Sequence, residues 1–269
     1  MYLQYYQLKE NPFNITADPE YFYGSSRHNE AFSHLIYGIS ERKGILVITG
    51  EIGTGKTTLC RTLLNRIDPK TKTALILNPS FSDLQLLQII LKDLGLQSKA
   101  RNKFALIETL NAFLLEESAK GNNVVLIIDE AQNLRVRQLE QIRLLSNLET
   151  AKHKLLQIIL LGQPELNEKL KLSDLRQLNQ RVGVRFHITP LNREELPSYI
   201  AHRLAVASDN QALARFTDQA VDIIYAKSQG TPRMVNILCD RALLSGYAKE
   251  TYVIDEEILQ TCVEEVLLP

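Results

Sequence analysis

One short motif constrains the fold of this chain more than any other feature. Residues 50–57 read Gly-Glu-Ile-Gly-Thr-Gly-Lys-Thr, which matches the pattern G-x-x-x-x-G-K-[ST] in full. The motif follows an apolar run at residues 45–49 and precedes a helical pattern at residues 56–67. Glycines let the backbone amides of such a turn point inward, and the start of the next helix adds positive potential. Residues 50–57, called the phosphate loop below, therefore predict a phosphate-binding turn between a strand and a helix.

The phosphate loop also predicts which groups hold a nucleotide. We expect Lys56 to contact the β- and γ-phosphates and Thr57 to ligate Mg²⁺. The alternative is a glycine-rich turn that matches by chance, and the strand and helix on either side argue against it. The residues predicted to contact the nucleotide are Gly50, Glu51, Ile52, Gly53, Thr54, Gly55, Lys56, Thr57 and Thr58.

Two carboxylates follow another strongly apolar run. Residues 124–128 read Val-Val-Leu-Ile-Ile, and Asp129 and Glu130 come directly after them. Open α/β sheets bind their ligands at the carboxyl ends of the strands. We expect Asp129 to hold Mg²⁺, usually through water, and Glu130 to polarise the attacking water. The alternative is a solvated strand end, which is the weaker interpretation because the phosphate loop is also present.

Apolar runs and helical patterns alternate up to about residue 190. The runs are typical of strands buried on both faces, so the alternation predicts a mostly parallel sheet with helices on both sides. The predicted strands are residues 45–49, 73–77, 124–128, 155–161 and 184–188. The predicted helices between them are residues 56–67, 84–94, 104–119 and 139–148.

Beyond about residue 190 the pattern indicates helices alone, and four of them fit the remaining length. Asn192 with Glu195 is typical of a capping box, Thr231 before Pro232 indicates a helix start, and Asp255 suits the cap of the last helix.

The change of pattern predicts two domains. The first is an α/β P-loop core at residues 1–190, and the second is a small all-helical lid at residues 191–269.

Composition and charge narrow the class of protein. Hydrophobic residues make up 45% of the chain and charged residues 23%, which is ordinary for a globular protein. The 31 basic and 31 acidic side chains balance, so binding to nucleic acid or anionic lipid would need a local patch. The longest apolar runs fall far short of the ~20 residues that span a bilayer. We expect a soluble, cytoplasmic protein whose Cys60, Cys239 and Cys262 are reduced, buried thiols.

Several further segments resemble one family of ATPases. Two carboxylates after a buried strand, with one more strand between that strand and the phosphate loop, are similar to the AAA+ ATPases. More narrowly, four segments resemble the ExeA/GspA group of general secretion pathway ATPases. The resemblance covers nearly the whole chain and implies a sheet order of 5-1-4-3-2. The four segments are residues 5–13, 162–166, 176–181 and 230–233.

The resemblance also implies roles for single polar residues. Gln163 takes the place of a sensor of the γ-phosphate and the catalytic water, although a lone glutamine there also suits a turn. Arg181 takes the place of the arginine finger supplied to a neighbouring subunit, with Arg176 in reserve; plain solvated arginines are the alternative. Arg233 takes the place of a second sensor in the lid. Its alternative is a helix-end salt bridge, which is disfavoured because a cation near a helix start is repelled.

The amino-terminal segment is implied to contact the base. Asn11 and Phe13 lie within residues 1–40, a segment that crosses the adenine pocket in similar proteins, although packing alone also explains Phe13. Longer members of the group carry a membrane segment and a peptidoglycan-binding domain after the ATPase, and neither occurs in this sequence. We therefore expect either the cytoplasmic region of a longer protein or a short relative.

Three functions stay open at this point. The leading prediction is an oligomerising ATPase that uses ATP and Mg²⁺ to power assembly or transport of a secretion or envelope complex. The second is an ATP-dependent DNA-binding helper of transposition, although clustered charges are more often a solvated face. The third is a nucleotide-gated switch with negligible turnover. The basic residues of the second hypothesis are Arg135, Arg137, Arg143, Lys152, His153 and Lys154.

Overall fold

The computed structural model describes residues 2–79, 81–97, 100–151 and 153–266. Its segments pack into two compact units, which do not each follow one continuous stretch of chain. The helical unit comprises Met1–Asn29, Gly53–Thr62 and Thr189–Pro269. The sheet unit comprises Glu30–Ile52 and Leu63–Ile188. The division into functional domains after residue 190 stays a prediction.

Five parallel strands form the sheet of the sheet unit. They are β1 (Ile45–Gly50), β2 (Lys72–Ile76), β3 (Val124–Ile128), β4 (Gln157–Gly162) and β5 (Val182–Ile188). Their order is β2-β3-β4-β1-β5, and every neighbouring pair is parallel. Read from the other edge this is 5-1-4-3-2, so the predicted order is confirmed.

Burial differs between the central strands and the edge strands. Every residue of β1, β3 and β4 is buried, whereas β2 and β5 mix buried and exposed residues. An edge strand has a neighbour on one side only, so more of its side chains reach solvent. Burial on both faces, which we predicted for all five strands, therefore holds for the central three.

Helices precede, connect and follow the strands. Those up to β5 are α1 (Tyr2–Tyr5), α2 (Ser26–Ser40), α3 (Lys56–Arg66), α4 (Asp83–Asp93), α5 (Lys103–Ala119), α6 (Val136–Leu145), α7 (Glu165–Leu170) and α8 (Arg176–Gln180). Those after it are α9 (Glu195–Ser208), α10 (Asp218–Ser228), α11 (Pro232–Ala248) and α12 (Glu256–Val266). The four predicted helices of the α/β part agree with α3 to α6, with ends that differ by a few residues at most, and the four helices predicted after residue 190 correspond in number to α9 to α12. Among the described residues, no helix combines the length and apolar character needed to cross a membrane.

The core of the sheet unit is built from one face of each helix. In α5, Leu106, Leu110 and Leu114 recur every four residues and are fully buried. They pack in one cluster with apolar side chains of the central strands, such as Leu126 of β3 and Ile158 of β4. Burying each such side chain contributes about 2 kcal/mol to the stability of the folded sheet unit.

The predicted start signals of the helical unit are present. Asn192 N–H donates to Glu195 Oε2 at 3.1 Å, and Glu195 N–H donates to Asn192 Oδ1 at 2.8 Å, which is a reciprocal capping box. Thr231 precedes Pro232, the first residue of α11. Asp255 Oδ1 accepts a backbone N–H from the first turn of α12 at 3.1 Å.

The helical unit also contains a pair of strands that the sequence did not predict. β6 (Arg215–Phe216) and β7 (Val253–Ile254) pair in parallel. Two-residue strands are too short to produce an alternating pattern, so no periodicity reveals them.

The amino-terminal segment packs inside the core of the helical unit. Tyr6 and Phe13 are almost completely buried in one cluster with side chains of α9 to α12. The Tyr6 hydroxyl donates to the carbonyl of Leu243 at 3.1 Å. Cys60, Cys239 and Cys262 are buried, as predicted.

Candidate nucleotide site

Both sequence motifs begin where parallel strands end at one edge of the sheet. β1 leads into the phosphate loop at Gly50, and β3 leads into Asp129, with β4 between the two strands. In the register of the sheet, Ile128, Leu160 and Val47 lie side by side. The carboxyl edge of the sheet therefore carries the start of the phosphate loop and the carboxylate pair.

The backbone of the phosphate loop has the conformation that its glycines allow. Gly53 and Gly55 adopt φ values of 81° and 90°, a region that residues with a Cβ rarely occupy. α3 begins directly afterwards at Lys56, which is buried together with Thr54, while Thr57 is half-buried. A turn of this kind at a helix start suits an anion such as a phosphate group.

The first turn of α11 lies against the phosphate loop. The backbone N–H of Arg233 donates to the carbonyl of Gly53 at 3.2 Å. A Cβ added to Gly53 would lie 2.6 Å from the Cβ of Arg233, so the close approach requires glycine. Within the described ranges the exposed Arg233 side chain has no ion-pair partner. The predicted second sensor is thus beside the loop, and a helix-end salt bridge is not formed with any described residue.

His28 is a further support of the loop, which the sequence analysis missed. Its Nε2 lies 2.8 Å from the carbonyl oxygen of Thr54, and its Nδ1 lies 2.7 Å from Ser25 Oγ. A carbonyl only accepts, so we assign the proton to Nε2, and Nδ1 accepts from the serine hydroxyl. Burial lowers the pKa of His28 below its usual value, although the Thr54 hydrogen bond and the charge of Glu195 oppose this. The imidazole is therefore neutral.

A cavity in the helical unit adjoins the phosphate loop. Gly55 and Thr58 of the loop and of α3 line one part of it. The buried Arg203 also lines it, with its guanidinium 4.5 Å from the centroid of the Tyr21 ring. Tyr21, Tyr23, Tyr199 and Pro232 line other parts of the cavity.

Of the two predicted base contacts, Phe13 lies in the core of the helical unit and Asn11 is half-buried. Phe13 is 1% exposed and packs edge-on against Phe216. Asn11 Nδ2 donates to Asp240 at 2.9 Å. Neither residue lines the cavity, whereas Tyr21 and Tyr23 do. Base contact by Asn11 and Phe13 stays a prediction.

The end of β3 carries a hydrogen-bonded network. Asp129 is 3% exposed, and its Oδ1 accepts the backbone N–H of Glu130 at 2.9 Å. Glu130 adopts a left-handed φ of 53°, which is uncommon for a residue other than glycine. Its Oε2 accepts from Gln132 Nε2 at 2.5 Å and from Gln163 Nε2 at 3.3 Å. The predicted water-activating carboxylate and the predicted first sensor are therefore in contact.

Gln132 was not predicted to belong to this network. It lies in a 3₁₀ turn, Ala131–Asn133, directly after the two carboxylates. A single glutamine at this position carries no pattern of its own. Only the pairing of β3 with β4 reveals its role, because that pairing places the turn beside Gln163.

Both candidate arginine fingers are exposed and precede the edge strand β5. Arg181 directly follows α8 and donates to Asn147 Oδ1. Arg176 is the first residue of α8, and in the part of the chain described here its side chain makes no hydrogen bond or ion pair. Exposure suits a contact with another subunit, and the choice of Arg181 over Arg176 stays a prediction.

Three of the six basic residues considered for DNA binding form ion pairs. Arg135 and His153 are exposed, and Lys152 lies outside the described residues. The other three form ion pairs, which lowers the positive charge available to a nucleic acid. These pairs are Arg137 with Asp83, Arg143 with Glu140, and Lys154 with Glu149.

Comparison with known sequences agrees with the predicted resemblance. Residues 39–170 match the family described as AAA domain. The chain is 42% identical over 255 residues to General secretion pathway protein A of Aeromonas hydrophila. The match covers 94% of this chain and 46% of that protein, so the chain spans about half the length of this relative. The resemblance to an AAA+ ATPase of the ExeA/GspA group is confirmed.

Solved structures share the fold at lower identity. The Aeropyrum pernix ORC2 protein in its ADP form has a TM-score of 0.65 and 16% identity, over 89% of this chain and 67% of that one. The Thermotoga maritima RuvB Holliday junction branch migration motor has a TM-score of 0.60 and 20% identity, over 91% of this chain and 70% of that one. At such identities the likeness concerns the fold alone.

Proposed function

We propose that this chain, which matches the family described as AAA domain over residues 39–170 and resembles General secretion pathway protein A, binds ATP with Mg²⁺ and hydrolyses it. One observation carries the proposal. The phosphate loop begins at the carboxyl edge of the sheet after β1, and at the same edge Gln163 after the adjacent β4 contacts Glu130 after β3. A phosphate-binding turn and a polar network for water on one sheet edge are the parts that ATP hydrolysis needs.

The phosphate loop and the cavity beside it supply the proposed nucleotide contacts. The amides of the phosphate loop and the ammonium of Lys56 bind the phosphates. The base occupies the cavity beside Gly55 and Thr58, because the rings of Tyr21 and Tyr199 offer apolar faces to a purine.

Thr57 and Asp129 are the proposed residues for Mg²⁺. The ion prefers hydroxyl, carboxylate and water oxygens, and the donor atoms at these two positions are of that kind. When bound, the ion neutralises charge on the β- and γ-phosphates.

The proposed reaction is an in-line attack of water on the γ-phosphorus. Glu130 accepts the proton of the water as its oxygen bonds to phosphorus, and the bond to the β,γ-bridging oxygen breaks with its electron pair going to ADP. Gln163 orients the water. Lys56, Arg233 and an Arg181 from a neighbouring copy stabilise the charge that develops on the phosphate oxygens.

We also propose that this cycle powers assembly or transport in a secretion or envelope complex built on a homo-oligomer. The support is the 42% identity to a protein named for the general secretion pathway. Release of phosphate removes contacts to Gln163 and Arg233, so the helical lid responds to hydrolysis. Arg137, Arg143 and Lys154 form ion pairs with acidic residues, so we place DNA second among the proposed partners.

Two substitutions test the ATPase proposal. Lys56→Ala should abolish ATP binding, because the main counter-charge to the phosphates is lost. Glu130→Gln should retain bound ATP while steady-state phosphate release falls by about 100-fold or more. Glu165→Gln, an exposed glutamate at the start of α7, is the matched control and should keep full turnover.

Each alternative has its own outcome. Normal turnover in the Glu130→Gln variant would contradict the role of Glu130. ATP binding by the unmodified chain without phosphate release would identify a nucleotide-gated switch instead. A gel-shift assay tests the DNA hypothesis, since ATP-dependent binding to duplex DNA that weakens with salt would support it.

A further inference from the structure

We propose that Gln132 is a positioning residue for hydrolysis, which anchors Oε2 of Glu130 and leaves Oε1 as the oxygen that accepts the proton of the water. This inference rests on the proposed ATPase function and adds a residue to its machinery. Gln132 does not itself touch the reacting atoms on this proposal; it acts through Glu130.

The side chain of Gln132 bridges two strand ends. Its Nε2 donates to Glu130 Oε2 at 2.5 Å, and its Oε1 accepts the backbone N–H of Gln163 at 3.0 Å. Gln163 Nε2 donates to the same Glu130 Oε2 at 3.3 Å, which closes a ring of three residues. The carboxylate after β3 is thereby tied to both the backbone and the side chain of the residue after β4.

The chemistry at position 132 requires one donor and one acceptor. A carboxylate oxygen only accepts and a backbone N–H only donates, so these two partners fix which end of the amide faces each of them. Glutamate would face Glu130 with a second negative charge. Alanine would leave the Gln163 N–H without its partner.

The surrounding backbone holds Gln132 in place. Lys169 of α7 donates to the carbonyl of Gln132, and also to that of Leu134 at 2.9 Å. Ala131, the preceding residue, is completely buried. A Cβ added to Gly162 would lie 3.0 Å from Gln132 Oε1, so the glycine at the end of β4 leaves room for the amide.

The two oxygens of Glu130 consequently differ. Oε2 accepts both amide donors, whereas Oε1 accepts no hydrogen bond from any of the described residues. Charge-assisted hydrogen bonds to one oxygen restrain the rotation of the carboxylate. The other oxygen is then held ready for the water, and such restraint is what orientation contributes to a rate.

Turnover and nucleotide binding are measured separately in Gln132→Ala and Gln132→Glu. We expect kcat for phosphate release to fall by about 10- to 100-fold in both, because a loosened carboxylate is misplaced. Binding of a fluorescent ATP analogue should change by no more than about twofold, since Glu130 acts after binding. Asn133→Ala is the control, an exposed residue of the same 3₁₀ turn, and it should behave as the unmodified chain.

A double-mutant cycle separates positioning from general damage. If Gln132 acts through Glu130, then Gln132→Ala should cause no further loss of single-turnover rate in a Glu130→Gln background. Unchanged kcat in Gln132→Ala, an additive loss in the cycle, or an equal loss in Asn133→Ala would each overturn the inference. Failure of the proposed function looks different: the unmodified chain would release no phosphate, or Glu130→Gln would retain turnover.

Discussion

At the scale of single residues, two hydrogen bonds from the helical unit hold carbonyls of the phosphate loop. His28 holds the carbonyl of Thr54, and the backbone of Arg233 holds the carbonyl of Gly53. Both carbonyls therefore have hydrogen-bond partners within the helical unit, which suits a loop that presents its amides to an anion. The bracing by His28 depends on the protonation state of a buried imidazole.

Stability should depend on pH through His28. Burial lowers its folded pKa below the value of about 6.5 in the unfolded chain, so the unfolded state binds the proton more readily. The contribution of His28 is complete above pH about 6.5, decreases as the pH falls below that value, and is lost once the pH lies below the folded pKa. Denaturant unfolding at several pH values between about 7.5 and 5 measures this dependence.

The test variant is His28→Asn. The control is His153→Asn, which alters an exposed histidine. We expect a shallower dependence of the unfolding free energy on pH in His28→Asn alone. An unchanged slope in that variant would assign the dependence to other groups.

At the scale of elements, helix ends connect distant parts of the helical unit. The Glu195 carboxylate accepts the N–H of Asn192 at the start of α9 and also the N–H of Ser26 at the start of α2, the latter at 2.9 Å. The Glu195 side chain thus caps its own helix, α9, and also holds the first residue of α2. A local sequence signal, the capping box, therefore has a consequence at long range.

Removing the other half of that box should destabilise the chain. Asn192→Ala loses the acceptor for the Glu195 N–H, so we expect the free energy of unfolding to fall by about 1 kcal/mol. Asn192→Asp keeps a side-chain acceptor, so the free energy of unfolding should change by only a few tenths of about 1 kcal/mol. Thermal and denaturant unfolding measure both variants, and equal stability of the two would exclude the cap as the cause.

At the scale of the whole molecule, the candidate fingers lie on the exposed surface just before edge strand β5. The central strands carry the phosphate loop and the carboxylates, whereas Arg181 and Arg176 lie outside the network at Glu130. We propose that an arginine so placed acts on phosphate in the site of a neighbouring copy. The proposal of a homo-oligomer follows from this placement.

Mixing two inactive variants tests the neighbour's contribution. Arg181→Ala should bind ATP normally yet turn over at least about 100-fold more slowly, because the finger is lost. Lys56→Ala cannot bind ATP but still carries Arg181. A mixture of the two should regain phosphate release, since the second variant supplies the finger to sites of the first. Arg176→Ala serves as the control. If Arg176→Ala lost turnover while Arg181→Ala kept it, the arginine finger would be Arg176 instead of Arg181.

Prediction succeeded where consecutive residues carry the signal. The phosphate loop follows β1 and precedes α3, the carboxylates follow β3, and the capping box at Asn192 is formed, because each is a property of a short stretch of backbone. The sheet order was implied by resemblance and is confirmed. The pairing of β6 with β7 was missed because two residues have no measurable period.

The sequence by itself determined the glycine-rich turn between β1 and α3, the buried strands and the carboxylate pair, since spacing and hydrophobic pattern are local. Only the tertiary structure decided that His28 holds Thr54, that Tyr21 and Tyr199 share a cavity, and that Gln132 joins Glu130 to Gln163. The physical reason is chain distance: hydrogen bonds and ring contacts between residues far apart in sequence exist only after the strands and helices have packed.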